Sequence, residues 1–240
     1  MIARVGERAR ATADADTTWR AGTRELTLWL EQAAAVDLGD HFEFFLGEPR
    51  TIQAEGPEGG FRFAVQARVA GRLFERIRLD VNVVLDDPRP VEVLALRNLF
   101  DFADLPEVIV PAIRPEQQLA EKLHAYTRDY GHQENSRAKD LYDMLLIAEQ
   151  LALPCAGILR EACRTTFSMR QTSWPPALSD PPSSWNSAWR GFVAGYGAPF
   201  PELTEAYHAL RGFWDPLLHQ IQPTWIWNAG AWKWMPPALE

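Results

Sequence analysis

Three aspartates within the first 80 residues have the spacing of a metal-binding cluster. Asp14 and Asp16 form a D-x-D pair, and Asp80 lies in the largely apolar run 75–84. Residues i and i+2 of a strand point to the same side, so Asp14 and Asp16 can direct two carboxylates at one point. If the strand with Asp80 lies alongside, three carboxylates converge. Such an oxygen-rich site suits one or two Mg²⁺ ions, and two ions can stabilise the attacking and leaving oxygens of a nucleotidyl transfer.

Ordinary surface carboxylates explain the same pattern. A D-x-D pair is common in solvated loops and at helix caps. Asp80 lies where apolar residues at the odd positions 77 to 83 alternate with mostly polar ones, so its side chain can simply face water. Spacing alone therefore leaves both interpretations open.

A lysine and the polar residues of two predicted helices form a second candidate site. Lys122 lies beside an apolar stripe, from which its ammonium group can enter a cleft and neutralise triphosphate oxygens. A surface lysine whose stem covers apolar neighbours is the alternative. Asp140 borders the apolar side of the next helix, where it could orient a basic group or a substrate hydroxyl. Lys139 and Asp143 have the i, i+4 spacing of a plain surface ion pair.

The composition restricts the class of protein. The chain has 240 residues, of which 47% are apolar and 23% charged, as is typical of one large or two small globular domains. Its net charge of −8 argues against broad nonspecific nucleic-acid binding. Five arginines among the first 24 residues leave room for a local basic site.

Neither a membrane span nor a secretory signal is expected. No uncharged apolar stretch approaches the roughly 18 residues that a spanning helix needs, and the charged N-terminus lacks an apolar signal core. Cys155 and Cys163 are predicted to be buried thiols of one helix, which suits a reducing compartment. We therefore expect a cytoplasmic protein without a membrane partner.

Apolar periodicity predicts an α+β protein. Strands are expected at 11–19, 41–48, 61–70 and 75–84, with a helix at 23–36 and a hairpin turn at Gly71-Arg72. Turns are expected at 55–60 and 86–90. Helices are expected at 115–130 and 156–169. Between them, another helix is expected to begin after a cap at Asn135 or Ser136. The domain division is predicted as 1–110 and 111–240.

The C-terminal region is rich in tryptophan. Eight of the ten tryptophans lie beyond residue 170, after a proline- and serine-rich break at 172–182. Large aromatic side chains most often complete a core, so we expect these to be packed inside. A docking surface for a partner is the alternative.

Four short motifs occur in order within residues 10–150. They read Arg-Ala-Thr-Ala-Asp-Ala-Asp, Arg-Leu-Asp-Val, Ala-Glu-Lys-Leu-His-Ala and Arg-Ala-Lys-Asp-Leu-Tyr-Asp. Together they resemble the AbiEii/AbiGii-type nucleotidyltransferase toxins of bacterial abortive-infection and toxin–antitoxin systems. That family belongs to the polymerase-β-like nucleotidyltransferase superfamily. The resemblance implies a mixed sheet of that superfamily followed by a helical C-terminal half.

The resemblance also implies roles for particular residues. The ligands of a two-Mg²⁺ site would be Asp14, Asp16 and Asp80. The residues that contact the NTP would be Arg10, Lys122 and Lys139. Lys122 and Asp140 would join the three aspartates as catalytic residues.

The implied reaction moves a nucleoside monophosphate from an NTP to an acceptor, either tRNA or protein. The implied partner is a cognate antitoxin encoded nearby, and the implied role is defence against phage. A metal-dependent nuclease fits poorly, because its Glu-x-Lys strand motif is replaced by adjacent Glu121 and Lys122 in a predicted helix.

One motif of the family is not found at its usual place. The family carries a Gly-Gly or Gly-Ser turn upstream of the D-x-D pair, where backbone N–H groups face the nucleotide phosphates. Thirteen residues precede Asp14, and Gly6 is the one glycine among them. We therefore expect either a start further upstream or a shortened homologue. In the second case the chain would be a catalytically inactive interaction protein.

Overall fold

The computed structural model describes residues 2–10, 14–52, 59–84, 89–96, 108–132 and 134–238. They belong to two compact units, one spanning residues 11–88 and the other residues 1–10 with 89–240. We call these the sheet unit and the helical unit. The predicted domain division at residue 110 stays a prediction, whereas the predicted α+β fold class is confirmed.

The sheet unit is a five-stranded mixed sheet with one helix. Its strands follow the order β1-β5-β4-β2, and β3 pairs with β4. The parallel pair is β1 with β5, and the other pairs are antiparallel. The elements are β1 (Asp14–Trp19), α1 (Thr23–Ala34), β2 (Phe42–Leu46), β3 (Arg50–Ile52), β4 (Gly60–Val69) and β5 (Arg72–Val83).

Alternating side chains divide the central strands into an apolar and a polar face. Phe63, Val81 and Val83 are buried on one face, where they pack with Leu26 of α1. Because successive strand residues point to opposite sides, the even-numbered residues within 62–66 of β4 and 76–82 of β5 lie on the other face. That polar face carries Asp80.

The β4–β5 hairpin predicted from the sequence is present. Ala70 and Gly71 connect the strands with φ angles of 48° and 76°, the left-handed pair that a two-residue hairpin turn requires. The strands expected at 41–48 and 61–70 and the helix expected at 23–36 are each found within a few residues. The short strand β3 was not predicted from the sequence. The predicted turn residues 55–58 and 86–88, and residues 11–13 of the first predicted strand, lie outside the described residues.

The helical unit contains five helices of at least twelve residues and two small antiparallel sheets in its described part. Neither sheet was predicted. The elements are β6 (Val91–Ala95), β7 (Ile109–Ile113), α2 (Pro115–Thr127), α3 (Ala138–Gln150), α4 (Ala156–Met169), α5 (Trp185–Tyr196), α6 (Leu203–Leu218), β8 (Ile226–Asn228) and β9 (Lys233–Met235). Proline at the first position of α2 begins that helix as expected.

Residues 2–10 are anchored to the helical unit. Arg4 forms an ion pair with Glu92, and Arg8 lies 2.7 Å from the Glu149 carboxylate. The Tyr142 hydroxyl donates a hydrogen bond to the Arg8 carbonyl at 2.5 Å. These contacts hold residues 2–10 against β6 and α3.

The C-terminal tryptophans complete the core of the helical unit. Trp185, Trp189, Trp214 and Trp234 are buried, and the other four are partly buried against the same core. Six of the eight indole N–H groups donate to backbone carbonyls, which satisfies their polar atoms inside the protein. The core interpretation is therefore correct, and the docking-surface alternative is wrong for these side chains.

The two cysteines meet the expectation only in part. Cys163 of α4 is buried as expected, whereas Cys155 precedes that helix and is partly buried; both are free thiols. Among the helices within the described ranges, none combines the length and apolar character that a membrane crossing requires.

Candidate functional site

The carboxylate cluster lies on the polar face of the sheet unit. Strands β1 and β5 are adjacent and parallel, with Asp16 opposite Asp80 and Asp14 opposite Arg78. Register partners project from the same face, and so do residues two apart on one strand. The structure therefore brings Asp14, Asp16 and Asp80 to neighbouring positions on one face.

Two arginines neutralise this cluster. Arg62 on β4 faces Asp80, donating from Nε to Oδ1 at 2.7 Å and from a terminal nitrogen to Oδ2 at 2.6 Å. Arg78 donates from Nε to Oδ1 of Asp14 at 2.5 Å. Both pairs are partly open to solvent. Sequence reasoning missed Arg62, although the hairpin register places it directly opposite Asp80.

The electrostatics of Asp80 follow from this pairing. The hydrogen bonds from Arg62 lower the pKa of Asp80 below its usual value and outweigh the opposite effect of burial. Repulsion from the neighbouring carboxylates does not raise the pKa of Asp80, because the guanidinium group supplies the balancing charge.

A second cluster lies in the helical unit, between α2 and α3. The Lys122 ammonium is 2.7 Å from Oδ2 of Asp143 and 3.2 Å from Oδ1 of Asp140. Arg10 donates two hydrogen bonds to the same Asp143 carboxylate, from Nε to Oδ1 at 3.1 Å and from a terminal nitrogen to Oδ2 at 2.8 Å. Asp140 and Asp143 are both buried. They lie on one face of α3 because they are three residues apart. Arg137 lies 3.7 Å from Oδ2 of Asp140.

These buried groups keep their charges. Burial alone would lower the pKa of Lys122, but the charges of Asp143 and Asp140 outweigh it and raise that pKa. Burial alone would raise the pKa of Asp143, but Lys122 and Arg10 outweigh it and lower that pKa. Arg10 has a raised pKa, because its contacts with Asp143 exceed the effect of burial. Lys122, Asp143 and Arg10 are therefore ionised at neutral pH.

A buried histidine lies two residues from Lys122 on α2. His124 Nδ1 is 2.8 Å from an Arg170 guanidinium nitrogen, and Nε2 is 3.1 Å from the Thr172 hydroxyl. Burial, together with Arg170 and Arg128, lowers the pKa of His124 to about 4. Since Arg170 is a donor, Nδ1 accepts and the neutral ring keeps its proton on Nε2.

Comparison with known proteins identifies the family. Residues 1–214 match the family described as the AbiEii nucleotidyl transferase toxin of type IV toxin–antitoxin systems. The chain belongs to this family. The resemblance inferred from the four motifs is thereby confirmed.

The fold agrees with a solved structure of the same class. The chain is similar to MenT4, a nucleotidyltransferase toxin from Mycobacterium tuberculosis H37Rv, with a TM-score of 0.52 and 19% identity. The match covers 95% of this chain and 74% of MenT4. No curated protein sequence is detectably similar to this chain.

The ion pairs differ from the alternatives considered for this AbiEii-family chain. The interpretation of Lys139 and Asp143 as a surface ion pair is wrong, because Asp143 is buried against Lys122 and Arg10 while Lys139 is exposed. Lys122 is not a surface lysine, because its ammonium group lies between two buried carboxylates. Asp143 is a cluster member that sequence reasoning missed. Its signal was the Asp-Leu-Tyr-Asp spacing, which puts both aspartates on one helix face.

The family implies a divalent cation, and the donor chemistry of the polar face fits one. Asp14, Asp16 and Asp80 offer carboxylate oxygens, which Mg²⁺ prefers. Two guanidinium groups already lie against them, so this face favours positive charge. Within the described ranges, however, no group of three or more His, Cys, Asp or Glu side chains is arranged to hold a metal ion. Asp80 and Asp14 are instead turned toward their arginines.

Proposed function

We propose that this AbiEii-family chain transfers a nucleoside monophosphate from an NTP to an acceptor in a Mg²⁺-dependent reaction that releases pyrophosphate. The observation that carries the proposal is the placement of Asp14, Asp16 and Asp80 on one face of adjacent strands in a chain of a nucleotidyltransferase family. Three neighbouring carboxylates on a rigid sheet suit the binding of a cation with its triphosphate.

The carboxylates would hold Mg²⁺, which when bound supplies positive charge to the triphosphate and to the oxygens of the transfer. The sheet contributes orientation. Asp16 and Asp80 are register partners, so the distance between their backbones is set by strand pairing and not by a loop. Fixed positions matter, because positioning and charge stabilisation provide most of the rate of phosphoryl transfer.

The second cluster supports a phosphate-binding role for Lys122. Lys122, Arg10 and Arg137 contact Asp140 and Asp143, so three cations and two carboxylates leave one positive charge in excess. An excess cation held in a partly buried place suits the oxygens of a triphosphate. Arg10 contributes by holding Asp143, and Lys139 contributes as an exposed cation on the same helix.

Asp140 has acceptor capacity that its present contacts do not use. Its Oδ1 receives a hydrogen bond from Lys122, while the buried Oδ2 receives none from the described residues. A buried carboxylate oxygen without a donor is unfavourable unless another group uses it. This supports a role for Asp140 in accepting a hydrogen bond, and then the proton, from the hydroxyl group of the acceptor.

The toxin–antitoxin setting supports further proposals. A cognate antitoxin is the partner that the family description implies. We propose a tRNA or a protein as the acceptor, growth inhibition during phage infection as the outcome, and the cytoplasm as the place of action. The proposed substrate is an NTP with Mg²⁺.

The test is transfer of label from each α-labelled NTP to total tRNA or to protein, with and without EDTA. We expect transfer that requires a divalent cation and that is lost in Asp16→Asn and Asp80→Asn. Glu43→Gln is the matched control, since it removes an exposed carboxylate on β2 of the same unit. Full transfer by either aspartate variant would refute the assigned roles.

One observation favours the alternative of an inactive homologue that acts as an interaction protein. Asp14 and Asp80 are each held by an arginine, so their charges are balanced without a metal. An inactive chain would transfer no label from any NTP, yet it would still bind a partner through surfaces unrelated to the aspartates. The buried tryptophans do not supply such a surface.

A further inference from the structure

Arg62 contacts both oxygens of the Asp80 carboxylate. The proposed function makes the same carboxylate a ligand of the metal ion. Two N–H···O bonds, at 2.7 Å and 2.6 Å, join the planar guanidinium group to Oδ1 and Oδ2. Paired bonds of this kind combine charge with a defined orientation. A cation that coordinates Asp80 must therefore share its oxygens with Arg62 or displace Arg62.

The strand register makes this pairing a built feature of the sheet. Arg62 and Asp80 are direct cross-strand partners in β4 and β5. On the other side of Arg62, the partner in β3 is Arg50, another cation. Like charges directly opposite one another repel, and opposite charges attract. Both neighbours therefore favour a guanidinium group directed at Asp80.

Arg78 is the weaker competitor of the two arginines. It donates from Nε to Asp14, and its side chain is 58% exposed. Arg62 makes two bonds and its side chain is 44% exposed, against a carboxylate that is only 17% exposed. Screening by solvent weakens the more exposed pair more strongly.

We propose that Arg62 is the resident counter-ion of the carboxylate cluster and that it competes with the divalent cation for Asp80. The proposal rests on the proposed metal-dependent function and adds a residue that sets the metal affinity of that site. In the metal-free chain Arg62 holds Asp80 beside Asp16 despite their like charges. When the metal binds, Arg62 gives up Asp80, and this loss weakens metal binding.

The test measures Mn²⁺ affinity of the intact chain by calorimetry and by the electron paramagnetic resonance signal of free Mn²⁺. We expect Arg62→Gln to bind Mn²⁺ roughly three- to tenfold more tightly than the wild type, because the competing charge-assisted bonds are gone. Arg76→Gln is the matched control. It removes the same charge from the same face of β5, four residues from Asp80, and should change affinity less than twofold.

A double variant makes the test specific. In an Asp80→Asn background the counter-ion has lost its partner, so adding Arg62→Gln should no longer raise Mn²⁺ affinity. Thermal melting provides a second readout. Without metal, Arg62→Gln should melt below the wild type, and a fixed Mg²⁺ concentration should raise its melting temperature by more than that of the wild type.

The outcomes separate this inference from the proposed function. Equal Mn²⁺ affinity of the wild type and Arg62→Gln, in a chain that still transfers nucleotide, would overturn the role of Arg62 alone. Tighter Mn²⁺ binding by Arg62→Gln in a chain that transfers nothing would support the role of Arg62 and count against the enzyme. Absence of Mn²⁺ binding by both chains would overturn the inference, and so would an equal gain in the Asp80→Asn background.

Discussion

The two charged clusters of this protein balance their carboxylates in different ways. On the sheet unit, Asp14 and Asp80 each contact an arginine whose side chain is about half exposed to water. In the helical unit, Asp143 is buried and shared by Lys122 and Arg10. A solvent-exposed ion pair contributes little and exchanges partners easily, whereas removing one member of a buried pair leaves an uncompensated charge. The first cluster is therefore suited to exchanging an arginine for a metal ion, and the second to holding a lysine in place.

The largest expected effect tests the buried cluster. Asp143→Asn removes the charge that balances Lys122 and Arg10, and we expect it to cost about 3–5 kcal/mol of unfolding free energy. Urea denaturation measures this value. Asp129→Asn, at an exposed position, is the control and should cost less than about 1 kcal/mol. A loss as small as that of the control would mean that the cluster is not held as a unit.

The exposed cluster should show the reverse pattern. We expect Asp80→Asn to lower nucleotidyl transfer by roughly 10²–10³-fold or more while the melting temperature changes little, because its partner Arg62 is left in water. Transfer assays beside thermal melting measure both quantities. A variant that unfolds like Asp143→Asn, or that keeps its transfer rate, would remove the distinction between the two clusters.

Acid should weaken the helical unit through His124. The folded-state pKa of about 4 lies below the usual value of about 6.5, so the neutral form is favoured on folding. The stabilisation is complete above pH 6.5 and decreases as the pH falls toward 4, by up to about 3 kcal/mol. Urea titrations across this range should show a flatter profile for His124→Gln. The exposed His132→Gln should keep the wild-type profile.

Substitutions of Lys122 test whether the charge or the shape of its side chain matters more for NTP binding. Lys122→Ala should weaken NTP binding by about tenfold relative to the wild type, because positive charge is the main requirement. Lys122→Arg should weaken NTP binding less than Lys122→Ala does. Lys122→Arg should bind NTP better than the alanine variant without full transfer, since its planar group places the charge differently. Calorimetry with a non-hydrolysable NTP measures the affinities. Equal affinity of the wild type and Lys122→Ala would leave Lys122 with a structural role only.

The smallest expected effect is the response of the two clusters to salt. The pKa of Asp80 is lowered by an exposed arginine, so raising the NaCl concentration from 0.05 M to 0.5 M should move it back toward its usual value. The lowered pKa of Asp143 should move less, because its partners are buried with it. Carboxyl NMR titrations of the two residues measure both shifts. Equal salt sensitivity would show that the clusters do not differ in screening.

Local patterns in the sequence predicted the parts of the fold that depend on near neighbours. Alternation over residues 61–70 and around Asp80 predicted the β4–β5 hairpin, because a period of two assigns each residue to a face whatever lies beyond it. Periodic apolar residues and a proline likewise predicted α2, and α4 was found at the predicted residues 156–169. The short strands β3, β6, β7, β8 and β9 were missed, since three to five residues carry too little pattern to be recognised without their partners.

The sequence by itself determined which residues could take part in chemistry: the D-x-D pair, Asp80, Lys122 and Asp140. The tertiary structure alone decided which charges meet. Arg78 reaches Asp14 across 64 residues, and Arg10 reaches Asp143 across 133. Residue spacing predicts the face on which a side chain lies, but contacts across such separations depend on strand pairing and helix packing of the whole chain. The arginine partners of Asp14 and Asp143 could not be predicted for this reason, because they are defined only in the folded protein.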